Sequence, residues 1–218
     1  YLNGSQFNND KTSVNKRIQR FFTWQWENTI AYEKKFGKHK IGALAGTTAS
    51  EFQYENLFGS NADVPVNDPE NVYLNLAQDT TWMANGRARS SALYSLFGRL
   101  NYNFNNKYSL TAIVRRDGSS RFGPNRRFGI FPSIGAAWVI SDEAFLKDVE
   151  ALTYLKLRVS LGVNGNQEIG DNQFVSPINN TRGYTFIDGR SVGSSPEYVE
   201  NADIGWEQAE QFDIGADA

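Results

Sequence analysis

The stretch LFGRLNYNFNNKYSLTAIVRRDGSSRFGPNRRFGIFPSIGAAWVISDEAF, residues 96–145, contains three segments in which apolar and polar side chains alternate. A tight turn joins the first segment to the second, and a polar, arginine-rich loop joins the second to the third. Successive side chains of a strand point to opposite faces, so this alternation predicts a sheet with one apolar and one polar face. It is the pattern that a membrane-spanning β-barrel must use, because in lipid every backbone polar group needs a ladder partner.

Seven segments of the 218-residue chain show this alternation. The predicted strands cover residues 20–32, 39–54, 91–102, 108–116, 128–140, 155–163 and 207–216. Six of them are about 9 to 13 residues long, which matches what a tilted strand needs to cross a bilayer. The connections are predicted to be short, long, short, medium, short to medium and long. The second, fourth and sixth, about 55–90, 117–127 and 164–206, are polar and rich in Gly and Asn. Outer-membrane barrels have this asymmetry, with tight periplasmic turns and long outer loops.

Three local features carry structural expectations of their own. Asp117-Gly118 predicts a turn with positive φ between the fourth and fifth strands. Pro132 has no N–H to donate and predicts a bulge within the fifth strand. Ser141, which two acidic residues follow, predicts the start of a single helical turn.

The composition limits the classes of function. Cysteine is absent, which excludes disulfides and thiolate chemistry, and a formal net charge of −2 gives no case for a nucleic-acid partner. His39 is the only histidine, and no nucleophile or orienting acid stands at a defined spacing from it. We expect neither enzymatic activity nor a cofactor. The polar clusters at 67–71 and 168–172 could hold calcium, but turn formation explains them equally well, and we expect no metal site.

Several stretches resemble a known family. Residues 114–145, VRRDGSSRFGPNRRFGIFPSIGAAWVISDEAF, are similar to the barrel signature of SusC/RagA-type TonB-dependent outer-membrane transporters of Bacteroidetes. Residues 155–170 and 201–218 resemble the same family, and residues 23–46 resemble one of its hairpins. The signature residues are Arg116, Asp117, Gly118, Ser119, Ser120, Arg121, Phe122, Gly123, Phe131, Pro132, Trp138, Gly165, Asn166, Trp206 and Glu207.

The resemblance implies an all-β fold, an antiparallel up-and-down transmembrane β-barrel of which this chain supplies about seven of an expected total of about 22 strands. Residues 1–218 would belong to the barrel domain, with the plug domain, the Ton box and the signal peptide outside this chain. The implied function is import of a bulky polar nutrient, an oligosaccharide first and a peptide second, across the outer membrane of a Gram-negative, Bacteroidetes-like cell. The implied partners are outer-membrane lipid, a SusD-like surface lipoprotein that acts as a lid, and TonB, which would bind a segment outside this chain.

The outer connections supply candidates for substrate contact. Aromatic rings there can stack on sugars, and arginines can hydrogen-bond polar groups. The candidates are Trp82, Arg116, Arg121, Tyr184 and Trp206. Packing within the loops, with the arginines paired to carboxylates, is the competing explanation for the same residues.

A function from another class remains open, namely a soluble β-rich glycan-binding or adhesive module. The two alternatives differ in where the alternate apolar side chains lie, such as Trp24 with Trp26 and Leu110 with Val114. Burial of these side chains against a second sheet would favour the soluble module. One exposed belt, about 25 Å tall, would favour the membrane barrel.

Overall fold

The structure, a computed structural model, describes residues 12–63, 73–76, 81–146, 152–186 and 189–218. The strands are β1 (Ser13–Phe36), β2 (His39–Ala62), β3 (Met83–Phe104), β4 (Tyr108–Ser119), β5 (Phe128–Val139), β6 (Lys156–Asn166), β7 (Ile178–Phe186), β8 (Gly189–Pro196) and β9 (Glu207–Asp217). Residues Leu74–Leu76 form a short 3₁₀ helix. Within the described ranges, no helix is both long enough and apolar enough to span a membrane.

Seven strands form one sheet in the order β1-β2-β3-β4-β5-β6-β9, and β7 pairs with β8 in a separate two-stranded sheet. The pairs from β3 to β9 in the large sheet are antiparallel. This confirms the predicted all-β, up-and-down order, and each of the seven predicted strands is observed. Strands β1 and β2 are longer than predicted, at 24 residues each.

The chain forms two compact units, whose boundary cuts across the first three strands. The first unit comprises residues 1–23 and 52–90, and the second comprises residues 24–51 and 91–218. In its described part, the first unit holds the beginning of β1, the end of β2, the 3₁₀ helix and the beginning of β3. The second unit holds the remaining lengths of those strands and all of β4 to β9.

Two tight turns depend on residues with positive φ. Gly37 has a φ of 56° between β1 and β2, and Asn105 and Asn106 have φ of 53° and 58° between β3 and β4. Glycine adopts this left-handed conformation freely and asparagine tolerates it. The Lys107 N–H donates to the Phe104 carbonyl oxygen (3.0 Å) and closes the second turn.

Strand β4 shows that the expected Asp117-Gly118 turn is wrong. Gly118 lies within β4 and pairs with Tyr94 on one side and Phe128 on the other. It is not among the described glycines with positive φ. A Cβ at Gly118 would overlap the Phe128 ring, so glycine occupies this position because the ring takes the space of a side chain. The fourth connection is therefore only residues 120–127, shorter than the fifth at 140–155, and the alternation in length fails at this point.

Two further local predictions are wrong. The register of β4 with β5 runs without a shift through Pro132, which pairs with Val114, so there is no bulge. Pairing of β5 with β6 begins at Ser133, and the missing proline N–H therefore interrupts no bond to β6. Residues 141–146 form turns instead of a helical turn, and the Ser141 hydroxyl has no hydrogen-bond partner among the described residues.

The sixth connection, residues 167–206, is more ordered than the sequence predicts. It contains the β7–β8 hairpin, and β8 begins at Gly189, which has a φ of 133°. The alternation in these strands is weak because Gly, Ser, Asn and Thr predominate, and no period-two signal marks them.

In the second unit, one face of the large sheet is an apolar belt. The register places Leu100, Ala112, Ile134, Leu161 and Phe212 side by side across five strands. The large members of this belt are Leu96, Leu100, Tyr108, Leu110, Val114, Ile130, Ile134, Leu157, Val159, Leu161, Phe212 and Ile214. All are exposed, as Ile134 at 51% and Ile214 at 78% illustrate, so no second sheet in the described chain buries them.

The opposite face of the same strands is polar and small. Neighbours on it, one from each of the strands β3, β4, β5, β6 and β9, are Asn101, Thr111, Gly135, Ser160 and Asp213. The prediction that the sheet has a polar face opposite its apolar face is therefore confirmed. A sheet with one apolar and one polar face, both open, fits a wall between hydrocarbon and water.

The energetics of the belt require an apolar solvent. Leaving one large apolar side chain in water instead of burying it costs about 1.5–3 kcal/mol. The buried core is small by comparison, with Val14, Tyr54, Phe122 and Phe131 as its described apolar members. Along β5 the belt face runs from Phe128 to Trp138, about 33 Å of strand. At the tilt of about 35–45° typical of membrane barrels, that length gives a height of about 25 Å.

A matched pair of substitutions tests which face meets lipid. Ile134 on the belt and Ile113 on the polar face lie at nearly the same height, since Ser133 pairs with Ile113. In the full-length protein, Ile134→Arg should lower the free energy of unfolding by about 2–4 kcal/mol, as for cations at the bilayer midplane. Ile113→Arg should change it by less than about 1 kcal/mol. Urea unfolding in lipid vesicles, followed by heat-modifiable gel mobility, measures both, and equal losses would rule out the belt.

Candidate functional site

A cluster around Glu143 lies at the end of the sheet that carries the short turns. Glu143, in the connection between β5 and β6, accepts hydrogen bonds from the Tyr108 hydroxyl (2.6 Å), the Trp138 indole N–H (3.2 Å) and the Lys107 ammonium (3.1 Å). These donors, Tyr108 first, hold the pKa of Glu143 at about 2, well below its usual 4.5. The carboxylate thereby ties the beginning of β4 to the end of β5.

An aromatic row runs from this cluster toward β1. Tyr108 stacks on Trp138 with ring centroids 6.2 Å apart, and Phe104 stacks on Tyr108 at 6.2 Å. His39 lies 4.9 Å from Phe104, and its Nδ1 is 2.8 Å from the Tyr102 hydroxyl. Such rows mark the membrane interface of barrels. Among the described residues, the side chain of His39 contacts the aromatic residues Phe36, Tyr102 and Phe104.

A cluster of rings and glycines lies at the other end of the sheet, and we call it the ring cluster. It consists of Phe122, Phe131, Trp206, Gly123, Gly129 and Gly165. Phe122 is completely buried, and its ring centroid lies 5.1 Å from that of Trp206. Phe131 meets Trp206 edge-on, also at 5.1 Å. The Trp206 indole N–H donates to the Arg127 carbonyl oxygen at 3.0 Å.

The glycines of the ring cluster make room for its rings and backbone. A Cβ at Gly165 would overlap the Phe131 ring, and one at Gly129 would lie 2.5 Å from the same ring. A Cβ at Gly123 would overlap the Ala202 carbonyl oxygen. The cluster therefore locks connection 120–127 onto the end of connection 167–206. Each aromatic pair adds about 0.5–1.5 kcal/mol beyond area burial.

Arg121 reinforces the same junction. Its guanidinium lies 3.2 Å from Asp171 and 3.3 Å from Glu168, and it donates to the Gln167 carbonyl oxygen at 3.2 Å. Only 22% of its side chain is exposed. The carboxylates of the candidate calcium cluster at 168–172 are thus occupied by an arginine. The part of the chain that the structure describes contains no group of three or more His, Asp or Glu residues able to hold a metal ion.

The other signature arginines also have partners within the chain. Arg116 lies over the Phe128 ring, 4.1 Å from its centroid. The neighbouring Arg115 pairs with the buried Asp117 (2.7 Å) and donates to Ser95 (2.9 Å), which is completely buried. Asp117 is therefore a paired structural carboxylate on the polar face.

The five predicted substrate-contacting residues do not form one site. Arg121 and Trp206 both belong to the junction between the outer connections, whereas Arg116 lies at the edge of the belt face. Trp82 lies in the first unit and is 48% exposed. The side chain of Tyr184 lies outside the described part of the structure, as does the candidate calcium cluster at 67–71. Substrate contact by these five residues stays a prediction.

Comparison with known proteins agrees with this architecture. A family described as "TonB dependent receptor-like, beta-barrel" matches residues 1–218. The chain belongs to the TonB-dependent receptor β-barrel family. Members of this family are outer-membrane transport proteins of Gram-negative bacteria and are not enzymes.

Relatives of this TonB-dependent receptor chain occur in Bacteroidetes. It is 36% identical over 210 residues to a TonB-dependent receptor of Formosa agariphila, covering 96% of this chain and 20% of that one. It is 34% identical over 194 residues to TonB-dependent receptor SusC of Bacteroides thetaiotaomicron, covering 86% of this chain and 18% of SusC. The chain therefore spans about a fifth of the length of these relatives.

A solved structure, the RagAB peptide importer in its closed-closed state, shows the same fold. The TM-score is 0.82 at 28% identity, over 94% of this chain and 22% of that one. The open-open state matches with a TM-score of 0.81. The predicted SusC/RagA type is thus confirmed.

The Glu143 cluster makes the stability of the receptor depend on pH. The pKa of Glu143 is lower in the folded protein than in the unfolded chain, so its contribution is complete above about pH 4.5 and is lost as the pH falls toward 2. Glu143→Gln should therefore lower the urea midpoint of the full-length receptor at pH 7, and the difference from wild type should shrink between pH 4.5 and 2. Asp142→Asn, an exposed neighbour without a described partner, should leave the midpoint unchanged at pH 7. A constant difference between Glu143→Gln and wild type across this range would contradict the assignment.

The ring cluster makes a second prediction about stability. Gly165→Ala places a methyl group into the Phe131 ring and should destabilise the full-length receptor by about 1–3 kcal/mol. Gly135→Ala is the matched control, because its nearest atom, Ser160 Cβ, is 3.5 Å away. Urea midpoints in detergent measure both. Phe131→Leu added to Gly165→Ala should recover part of the loss, and failure of the double variant to recover any would weigh against the ring contact.

Proposed function

We propose that this chain forms part of the barrel wall of an outer-membrane transporter that imports an oligosaccharide with energy delivered through TonB. Residues 1–218 then lie in the barrel domain, and the plug domain, the Ton box and the signal peptide belong to other parts of the same polypeptide. The observation that carries the proposal is the sheet with two open faces. Its apolar belt suits hydrocarbon, and its polar face suits a water-filled conduit.

The same observation weighs against a soluble glycan-binding or adhesive module. Trp24 and Trp26 are exposed, as are Leu110 and Val114. A soluble module would have to cover this surface, because monomeric soluble proteins rarely expose apolar patches larger than a few hundred Å². The described strands contain no layer that does so.

An oligosaccharide as cargo is supported by the chemistry of the polar face. Several of its central positions carry hydroxyl or amide groups, as at Asn101, Thr111, Ser133 and Ser160. Such groups exchange hydrogen bonds with sugar hydroxyls without imposing a charge. A peptide is the alternative cargo, since the structurally similar RagAB is described as a peptide importer.

A SusD-like surface lipoprotein is the proposed lid over the outer connections. The similarity of this chain to RagAB is almost the same for the closed-closed and open-open states, with TM-scores of 0.82 and 0.81. That similarity supports a fixed wall here, with movement confined to other parts of the assembly. The ring cluster and Arg121 supply the internal bonds that such a wall needs.

Uptake by living cells tests the proposal. Deletion of the gene should abolish uptake of a fluorescently labelled oligosaccharide that the source bacterium consumes, and the full-length gene should restore it. Inactivation of TonB, or deletion of the adjacent lid lipoprotein, should cause the same loss. Uptake of a labelled oligopeptide in the deletion strain serves as the comparison and should be unchanged.

Three results would contradict the proposal. Loss of peptide uptake in the deletion strain, with oligosaccharide uptake intact, would show that the cargo is a peptide. Glycan uptake independent of TonB would exclude energised transport. Recovery of the full-length protein in the soluble fraction would favour the soluble module.

A further inference from the structure

The first unit contains a cluster of arginines and aromatic rings that includes none of the predicted substrate-contacting residues. It consists of Arg17 on β1, Phe52, Tyr54 and Phe58 on β2, and Arg87 and Arg89 on β3, and we call it the arginine–aromatic cluster. The Arg89 guanidinium lies 5.2 Å from the centre of the Tyr54 ring and 5.7 Å from that of Phe52. Arg87 lies 5.7 Å from Tyr54, and Arg17 lies 5.4 Å from Phe58.

The cluster is held in place by contacts with its neighbours. Tyr54, only 7% exposed, packs against Phe21 with ring centroids 5.1 Å apart. The Gln19 amide donates to the Tyr54 hydroxyl at 2.8 Å. The central ring is thus fixed from two sides, whereas the three arginines are exposed.

The cluster is a concentration of positive charge without a counter-charge. None of its three guanidinium groups forms an ion pair with any residue that the structure describes. The nearby Glu55 forms its ion pair with Arg20 of β1, at 3.4 Å, and not with an arginine of the cluster. Three uncompensated cations on adjoining strands repel one another, and an anion between them would relieve that repulsion.

The cation–π contacts leave N–H groups of the arginines available for hydrogen bonds. A guanidinium that lies over a ring uses its face for the cation–π contact, and its in-plane N–H groups remain free for a bidentate acceptor. Carboxylate and sulfate groups have the matching geometry. The exposed ring of Phe21 offers an apolar face of the kind on which a sugar ring stacks.

A groove beside the cluster has room for a ligand. Its volume is about 390 Å³, and it is lined by Arg17, Tyr54, Phe58, Asn85 and Arg87 among others. Small-molecule sites are typically about 300–1,000 Å³. Arg17 and Arg87 lie at odd positions of β1 and β3, whereas the apolar belt of the second unit uses the even positions of β3.

We propose that the arginine–aromatic cluster binds an oligosaccharide that carries sulfate or carboxylate groups. The arginines pair with the anionic groups, and the rings contact the sugar faces. This inference rests on the proposed function and narrows its cargo from oligosaccharides in general to anionic ones. Neutral oligosaccharides lack the groups that would neutralise the three arginines, so they bind there more weakly.

Binding to the purified full-length transporter with its lid lipoprotein tests the inference. Three tetrasaccharides serve as probes in isothermal titration calorimetry: a sulfated galactan, its desulfated counterpart, and a uronate oligomer. At least one anionic probe should bind about tenfold or more tightly than the desulfated one, and the double variant Arg87→Gln/Arg89→Gln should remove that advantage. High salt should reduce it as well.

Matched variants separate this role from folding. Arg20→Gln removes a nearby exposed arginine that already pairs with Glu55, and it should change affinity less than about twofold. Arg87→Lys/Arg89→Lys keeps the charge but loses the bidentate edge and should recover only part of the affinity. Heat-modifiable mobility on gels should show every variant folded to the wild-type level.

Several outcomes would overturn the inference. Equal affinity for the sulfated, uronate and desulfated probes would show that binding does not require an anionic group. A loss of affinity in Arg20→Gln as large as that in Arg87→Gln/Arg89→Gln would show that the arginine–aromatic cluster is not the binding site. Binding of hexaglutamate as tight as that of the anionic sugars, with the same dependence on Arg87 and Arg89, would assign an acidic peptide instead. Normal TonB-dependent uptake of a neutral oligosaccharide alongside any of these results would leave the proposed function intact and refute only the anionic cargo.

Discussion

The alternation of side chains along paired strands is the constraint on which the rest of this structure depends. Because the period is two, a slip of one residue in any pair would move its apolar side chains from the belt to the polar face. The register from β3 to β9 keeps Leu100, Ala112, Ile134, Leu161 and Phe212 in one row without a break. A sheet that separates hydrocarbon from water has to fix this register, because the buried core contributes so little.

Contacts at the two ends of the strands fix the register. At one end, Glu143 binds the first residue of β4 and the penultimate residue of β5, so a slip would break three hydrogen bonds together. At the other end, Phe131 on β5 packs with Trp206, which also packs with Phe122, and the glycines beside them leave the space that this packing needs. Side chains in the middle of the strands lie on the apolar belt or the polar face and have few such specific contacts. The specificity of the fold is therefore concentrated at the ends of the strands.

The sequence predicts the parts of the fold that depend on local period and misses those that depend on distant contacts. All seven strands of the large sheet follow from alternation. The short turns predict the pairs β1–β2 and β3–β4, whereas the other pairs follow from the up-and-down order that the family resemblance implies. The Asp117-Gly118 turn prediction failed because a glycine can serve either a positive φ or a close approach of a neighbouring group. At Gly118 the close neighbour is the Phe128 ring on the next strand. Trp206 looked like an exposed loop residue, since nothing local reveals that Phe122 and Phe131 would enclose it. The arginine–aromatic cluster was missed for the same reason, because Arg17 and Arg87 meet rings on β2 only after the strands pair.

The family signature and the candidate cargo site occupy different parts of the chain, and the chemistry explains why. Signature residues such as Arg121, Asp117 and Gly165 have their hydrogen bonds, charges or space taken up by the chain itself. A residue whose donors are already satisfied has little left to offer a ligand, and its substitution damages the scaffold whatever the cargo. The three arginines of the arginine–aromatic cluster have the opposite character, with exposed donors and no ion pair to any described residue. The signature residues therefore account for the scaffold of the family, whereas the proposed cargo site consists of residues outside the signature.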